Sequence, residues 1–325
     1  MKKEKFTKTL IIIGLIISTC VMSSCQTSTI SKQSDSRESL AEYIAQHGPL
    51  ITAHRGYAEV APENTMSAFI AAYEAGADAC EFDVHMSVDG VLVVFHDESV
   101  DRTTNGSGLI KELTYDYLST LDAGSWKDPM FTGEKIPTLH QTLTYFKEHN
   151  MVAVLEIKVA EIVDEILEML HETQMDKSTV IISFAESAIT KIVQNNPDIP
   201  ALLLLYNKAY MTGSTMSKVE SMIQKADLVG TKYIGPFSFQ LENYDSELLP
   251  DVIYNLENNI DPGNLPLALD SETIEELHKR GYIIDAWTVD SQENIKSLIT
   301  SKVDFLTTNY LERAMRIKKE VQSQL

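Results

Sequence analysis

Residues 79–86 read ACEFDVHM. Side chains two apart along an extended chain point the same way, so in a strand Glu81 and Asp83 share a face with Ala79 and His85, while Cys80, Phe82, Val84 and Met86 share the other. The first face aims two carboxylates into one volume. Like charges desolvated that closely cost several kcal/mol per ion in order of magnitude, so a positive partner is expected between them. The run MVAVLEIK at 151–158 repeats the pattern: Glu156 and Lys158 end an apolar strand on a common face with Val152 and Val154. Three carboxylates from two strands make either an all-oxygen cation site or a set of ion pairs with Arg55, Lys158 and loop cations. As a cation site the set suits Ca²⁺ or Mg²⁺ better than Zn²⁺, which prefers His and Cys.

Outward from these two strands, short apolar runs alternate with helical patterns. Further strands are expected in LITAHR near 50, TVIISF near 179, ALLLLY near 201, ADLVG near 226, YIIDAWTV near 282 and VDFLTT near 303. Eight runs of this kind in α/β alternation predict a TIM-type (βα)8 barrel. Between them, Met66, Phe69, Ile70 and Tyr73, and again Ile162, Ile166, Met169 and Leu170, recur at helical spacing as core stripes. Two stretches exceed a minimal barrel: an insertion at about 90–139 after the second strand, and a long loop at about 235–268. Both are expected over the catalytic end, where βα loops build sites.

The chain opens differently. Lys2, Lys3, Lys5 and Lys8 precede an apolar run, Leu10–Ile17, too short for the roughly 20 residues of a membrane-spanning helix. With Met22-Ser23-Ser24-Cys25 behind it, residues 1–24 read as a lipoprotein export signal whose removal leaves Cys25 lipidated; Cys20 is a weaker stop, and plain secretion or a retained anchor are the alternatives. Residues 25–39 then form a polar tether, and a barrel domain is expected over 40–325, exported and membrane-anchored on the extracytoplasmic side. The net charge of −20 becomes −23 without the four lysines and Glu4 of residues 1–24. Such acidity argues against nucleic-acid partners. Cys80, in an apolar stretch, reads as a buried small hydrophobe rather than a nucleophile. Oligomeric state is not written in the sequence.

His54 and Arg55 end the first strand run before Gly56, and His96 and Asp97 end the VLVVF run. Titratable residues at the C-terminal ends of barrel strands serve catalysis more often than packing. The chain resembles the glycerophosphodiester phosphodiesterase family in HRG (54–56), PENT (62–65), GADACEFDVHMSVDGVLVVFHD (76–97), RTTNGSG (102–108), DAGSW (122–126), GEKIPTL (133–139), LEIK (155–158) and AWTV (286–289), a likeness running from about residue 50 to 312. The resemblance implies a TIM-type barrel with an extra loop region after the second strand. It implies that His54 and His96 are a general acid/base pair, that Glu81, Asp83 and Glu156 hold one divalent cation, Ca²⁺ or Mg²⁺, and that Arg55 and Lys158 lie near the phosphate. Phe184 and Trp287 match aromatic positions lining the substrate side, with barrel packing as the alternative; His85 shares the metal face without a role.

One motif departs from the family pattern: Thr308-Asn309-Tyr310-Leu311 stands where many relatives read Thr-Asp-x-Pro. The implied reaction is hydrolysis of a small glycerophosphodiester to glycerol 3-phosphate and an alcohol. Its nucleophile is either water or the neighbouring glycerol hydroxyl, and either histidine can be the acid. Two rival readings share the barrel: a phospholipase D- or C-like enzyme acting on intact lipids, and a non-catalytic binding lipoprotein.

Overall fold

The computed structural model describes residues 43–44, 47–239 and 266–324, all within the compact unit Glu38–Leu325. The expected leader, the lipidated Cys25, the tether and most of the long loop at 235–268 lie outside the described residues. Among the described residues nine strands make one sheet: β1 (Leu50–Ala53), β2 (Ala79–Met86), β3 (Leu92–Val94), β4 (Val152–Ile157), β5 (Thr179–Ser183), β6 (Ala201–Leu205), β7 (Tyr233–Pro236), β8 (Ile283–Ala286) and β9 (Phe305–Thr308). Parallel pairing runs from β1 through β9, β8, β7, β6, β5 and β4 to β2, and β1–β2 pairing closes the ring. Eight parallel strands therefore make the expected barrel. The ninth, β3, is an antiparallel addition that folds back on β2 with Val84 opposite Val94.

Helices follow the barrel strands in turn: α1 (Met66–Glu74), α2 (Leu139–Glu148), α3 (Val163–Thr173), α4 (Glu186–Asn195), α5 (Thr215–Val229), α6 (Ser271–Lys279), α7 (Gln292–Thr300) and α8 (Leu311–Gln322). Their starts are written locally. Thr138 caps α2 in a reciprocal capping box with Gln141, and Thr65 of PENT caps α1. Among the described residues no helix is long and apolar enough to cross a membrane.

The alternation read in β2 separates two cores. Cys80, Phe82 and Val84 pack outward against Phe69 and Phe146 of the helical layer. Leu50, Ala79, Val154, Val180, Leu202 and Phe305 fill the barrel interior. Each such side chain contributes ~1.5–3 kcal/mol by leaving water, so register is strongly specified: a slip of one residue in β2 would send Glu81 and Asp83 into the apolar layer. The insertion has its own small core of Val93, Phe95, Val100, Ile110, Leu118 and Ile136, which lets it stand as a folded subdomain.

Three expectations are corrected. ADLVG is not a strand but the end of α5, whose buried residues Val219, Met222, Ala226 and Val229 keep helical spacing until Gly230 caps it at φ 81°; the strand is the following YIGP. In α1 the buried residues are Ala68, Phe69 and Ala72, while Ile70 and Tyr73 are exposed. His96 does not end a barrel strand, because β3 runs against the barrel direction.

Candidate active site

The turn after β1 is shaped by backbone conformation before side chains enter. Arg55 sits at φ 55° and Gly56 at φ 80°. A Cβ on Gly56 would lie 2.6 Å from that of Ala68, so the HRG glycine is required by both its dihedral and the closeness of α1. The turn throws His54 and Arg55 over the barrel mouth. There the Arg55 amide donates to Glu81 Oε2 at 2.7 Å, and its guanidinium reaches Glu63 Oε1 at 3.0 Å and lies 3.7 Å from Asp83 Oδ2.

Glu81, Asp83 and Glu156 offer one oxygen each within 4.8 Å of one another. Lys158 Nζ lies 2.9 Å from Glu156 Oε1 and 3.0 Å from Asp83 Oδ1, and the latter contact lacks hydrogen-bond geometry. Asn64 donates to the second oxygen of Asp83 at 2.7 Å and accepts from its amide at 3.2 Å. The positive partner expected from sequence is thus present as Lys158 and Arg55, and the ion-pair reading holds. The acids fit a hard cation as well: three buried or half-buried oxygens converge, and burial, with the charges of Asp83 and Glu156, pushes the Glu81 carboxyl well up. Against burial, the Lys158 ammonium holds Asp83 well below the usual carboxylate range. A divalent ion among them would relieve a repulsion that the protein's own cations offset only in part.

His96 arrives by the antiparallel detour. The β2–β3 hairpin reverses the chain so that the Phe95 amide donates to Asp83 O at 2.9 Å, returning His96 to the level of the acids. His96 Nδ1 contacts Asp97 Oδ1 at 2.7 Å, and Arg102 clamps Asp97 with Nε 2.7 Å from Oδ2 and Nη2 2.9 Å from Oδ1. His85, left without a role above, sets its Nε2 3.1 Å from the His96 carbonyl and so pins that backbone. His54 Nδ1 lies 2.7 Å from Asn309 Oδ1, and its Nε2 stands 4.0 Å from Glu81 Oε2. Burial, then the charge of Arg55, lowers both histidines, His54 to about 3.

Of these residues, His54, Arg55, Glu81, His96, Glu156 and Lys158 line one cavity of about 600 Å³. Phe184 and Trp287, edge to face at 5.5 Å, line it as well, as do Tyr206 and Phe237, edge to face at 5.3 Å. Phe184 is 48% exposed, too open for a core residue, whereas Trp287 both lines the cavity and anchors its Nε1 on Gly235 O at 2.6 Å. Sequence reading missed Glu63, Asn64, Arg102, Asn309 and Asp290 as working parts, and gave Asp97 no partner. Glu63 and Asn64 carried a signal, being a charged and an amide side chain in the tight turn directly after the HRG segment.

A family model described as glycerophosphoryl diester phosphodiesterase matches residues 54–313. The chain belongs to this family. The match spans every element just described from the His54 turn to the start of α8, insertion included. A glycerophosphodiester phosphodiesterase of Caldanaerobacter subterraneus is 29% identical over 276 residues, covering 83% of this chain and 98% of that one. A glycerophosphodiester phosphodiesterase structure from Agrobacterium tumefaciens superposes with a TM-score of 0.62 at 26% identity, over 82% of this chain and 99% of that one. At 22% identity, an Oleispira antarctica phosphodiesterase in complex with the product sn-glycerol-3-phosphate shares the fold, with a TM-score of 0.67 and coverage of 87% and 100%. The barrel and its family are as the sequence motifs implied.

Proposed function

We propose that the protein hydrolyses small glycerophosphodiesters to glycerol 3-phosphate and an alcohol, using His54 and His96 as its proton-handling pair and one divalent cation, Ca²⁺ or Mg²⁺, held by Glu81, Asp83 and Glu156. The observation that carries this reading is convergence: two histidines, Glu81, Glu156 and two cationic side chains line one cavity, and the buried Asp83 brings a third carboxylate oxygen within 4.8 Å of those of Glu81 and Glu156. Family membership and the product seen in the Oleispira neighbour support it.

A phosphodiester resists attack because it is anionic and its alkoxide leaves poorly, so a catalyst must neutralise charge and manage two proton transfers. Charge neutralisation at the phosphoryl oxygens is the chemistry a cation at these acids supplies. Arg55 and Lys158 bring two further positive charges to the same mouth. Each histidine is held at Nδ1, His54 by Asn309 and His96 by Asp97, so each has Nε2 left for the substrate: one takes the proton of the attacking oxygen, the other protonates the leaving oxygen. Phe184 and Trp287 supply the apolar wall against which the rest of the diester rests.

Release of glycerol 3-phosphate from glycerophosphocholine, lost with a chelator and restored by Ca²⁺ or Mg²⁺, is the expected result. His54→Ala and His96→Ala should each lower turnover by roughly 10²- to 10⁴-fold; full activity in either variant sinks the mechanism. An assay with intact phospholipid beside its deacylated form separates this reading from lipid-cleaving relatives. We place the enzyme outside the cytoplasm, tethered by a lipid on Cys25 and without nucleic-acid partners, supported by the signal-like residues 1–24 and the net charge of −20. Labelled fatty acid should enter the wild-type chain and not Cys25→Ser.

A further inference from the structure

The two histidines differ in what holds them. Behind His96 stands a carboxylate; behind His54 stands an amide. That amide is itself fixed: Asn309 Nδ2 donates to Asp290 Oδ2 at 2.8 Å and the Asn309 backbone N–H to Asp290 Oδ1 at 2.8 Å, while Thr308 Oγ1 donates to the same Oδ1 at 3.0 Å. Arg313 in α8 holds the Asp290 carbonyl. Asn309 and Asp290 are both buried.

A carboxylate accepting three donated hydrogen bonds leaves the Asn309 side chain one orientation, NH₂ toward Asp290 and C=O toward His54. The carbonyl oxygen can only accept, so the proton between the two residues is on His54 Nδ1. We propose that the Asn309–Asp290 pair locks His54 in the Nδ1–H tautomer and so keeps its Nε2 bare and aimed for proton transfer. The role of the pair is positioning, and its catalytic consequence rests on the reaction proposed above. His54 Nε2 takes the proton of the attacking hydroxyl as the new O–P bond forms. The bond from phosphorus to the leaving oxygen breaks, and His96, in its imidazolium form, whose charge the Asp97 carboxylate offsets in part against burial and Arg55, gives that oxygen its Nε2 proton. Water then opens the cyclic phosphate to glycerol 3-phosphate: His96 Nε2 takes a proton from the water as its oxygen bonds phosphorus, the ring P–O bond breaks, and His54 returns its proton to that oxygen, so both rings regain their starting states.

The test reads the ring directly. In long-range ¹H–¹⁵N spectra of the intact chain with Mg²⁺ added, His54 should show a protonated Nδ1 and a bare Nε2 near neutral pH; a proton on Nε2 instead overturns the proposal. Asp290→Asn, whose new amide can donate as well as accept, frees Asn309 to turn over. It should mix the tautomers and lower kcat roughly 10- to 100-fold with KM changed little, in the way a wrong tautomer disables a hydrolase histidine. Asn309→Asp keeps an acceptor and should keep the Nδ1 proton, whereas Asn309→Leu should lose it; unchanged spectra and kcat in both Asp290→Asn and Asn309→Leu refute the pairing. Should Asn309→Leu not fold, the wild-type and Asp290→Asn spectra decide alone. Failure of the wild-type enzyme to cleave any diester would overturn the proposed reaction, while the ring spectrum would still judge the tautomer.

Discussion

Arg102 grips Glu63 with two nitrogens, Nη2 at 2.7 Å from Oε1 and Nη1 at 3.0 Å from Oε2. Glu63 belongs to the turn before α1 and Arg102 to the insertion, so this pair ties the subdomain to the barrel mouth. Since the same guanidinium holds Asp97, which holds His96, Arg102→Ala should lower kcat roughly 10- to 100-fold. Arg102→Lys should not rescue it, because an ammonium cannot grip two carboxylates in a fork. Steady-state kinetics of the two variants checks this.

Glu63 also gives the fold an acid limit. Burial opposes its ionisation, but Arg55 and Arg102 outweigh burial and hold the carboxyl down to about 2. A depressed folded-state value means stability fully present above the ordinary carboxylate pKa near 4.3 and lost as pH falls toward 2. The contribution is at most about 3 kcal/mol. Melting temperature should therefore fall between pH 4.5 and 2 in the wild type, and less steeply in Glu63→Gln, which starts lower at neutral pH.

Asp285 behaves in the opposite sense. Buried in β8 beside the cavity, with Thr307 Oγ1 donating to it at 3.1 Å, its carboxyl is raised by burial to about 7. The folded chain then binds the proton more tightly than the unfolded one, so stability declines as pH rises from about 4 to 7. Asp285→Asn should melt higher than wild type at pH 8, by at most about 4 kcal/mol, and no higher at pH 4. Equal melting temperatures at pH 8 would contradict the assignment.

Cation binding should be visible without turnover. Ca²⁺ or Mg²⁺ should raise the melting temperature, by about 2.7 kcal/mol of stability at a concentration 100 times its dissociation constant. Asp83→Asn should abolish the effect, whereas His54→Ala should retain it. A thermal scan with and without a chelator separates the two.

Much of this site is written in residues two apart. Glu81, Asp83, Glu156 and Lys158 are legible because a strand repeats every second residue and because an acid on an otherwise apolar run has few structural uses. ADLVG shows the limit: Ala226, Leu228 and Val229 before a glycine end a helix as readily as they make a strand, and what decides is the preceding three turns of α5 packing at helical spacing. His96 carried the right residue and the wrong setting, since nothing in VLVVF says which way the strand runs.

The sequence by itself determined the barrel, the inward face of β2 and β4, and the residue types of the site, since all of these follow from short-range periodicity and motif order. Tertiary structure decided what each group leans on. His54 meets Asn309 across 255 residues only because β9 closes beside β1, with Ala53 opposite Thr308; Lys158 settles between Asp83 and Glu156 because β2 and β4 pair with those two acids in register. Such partners depend on strand register and ring closure, which are summed over the whole core and leave no mark at any one position. The amide at 309, a departure when read along the chain, gains its meaning from the carboxylate of Asp290 folded behind it.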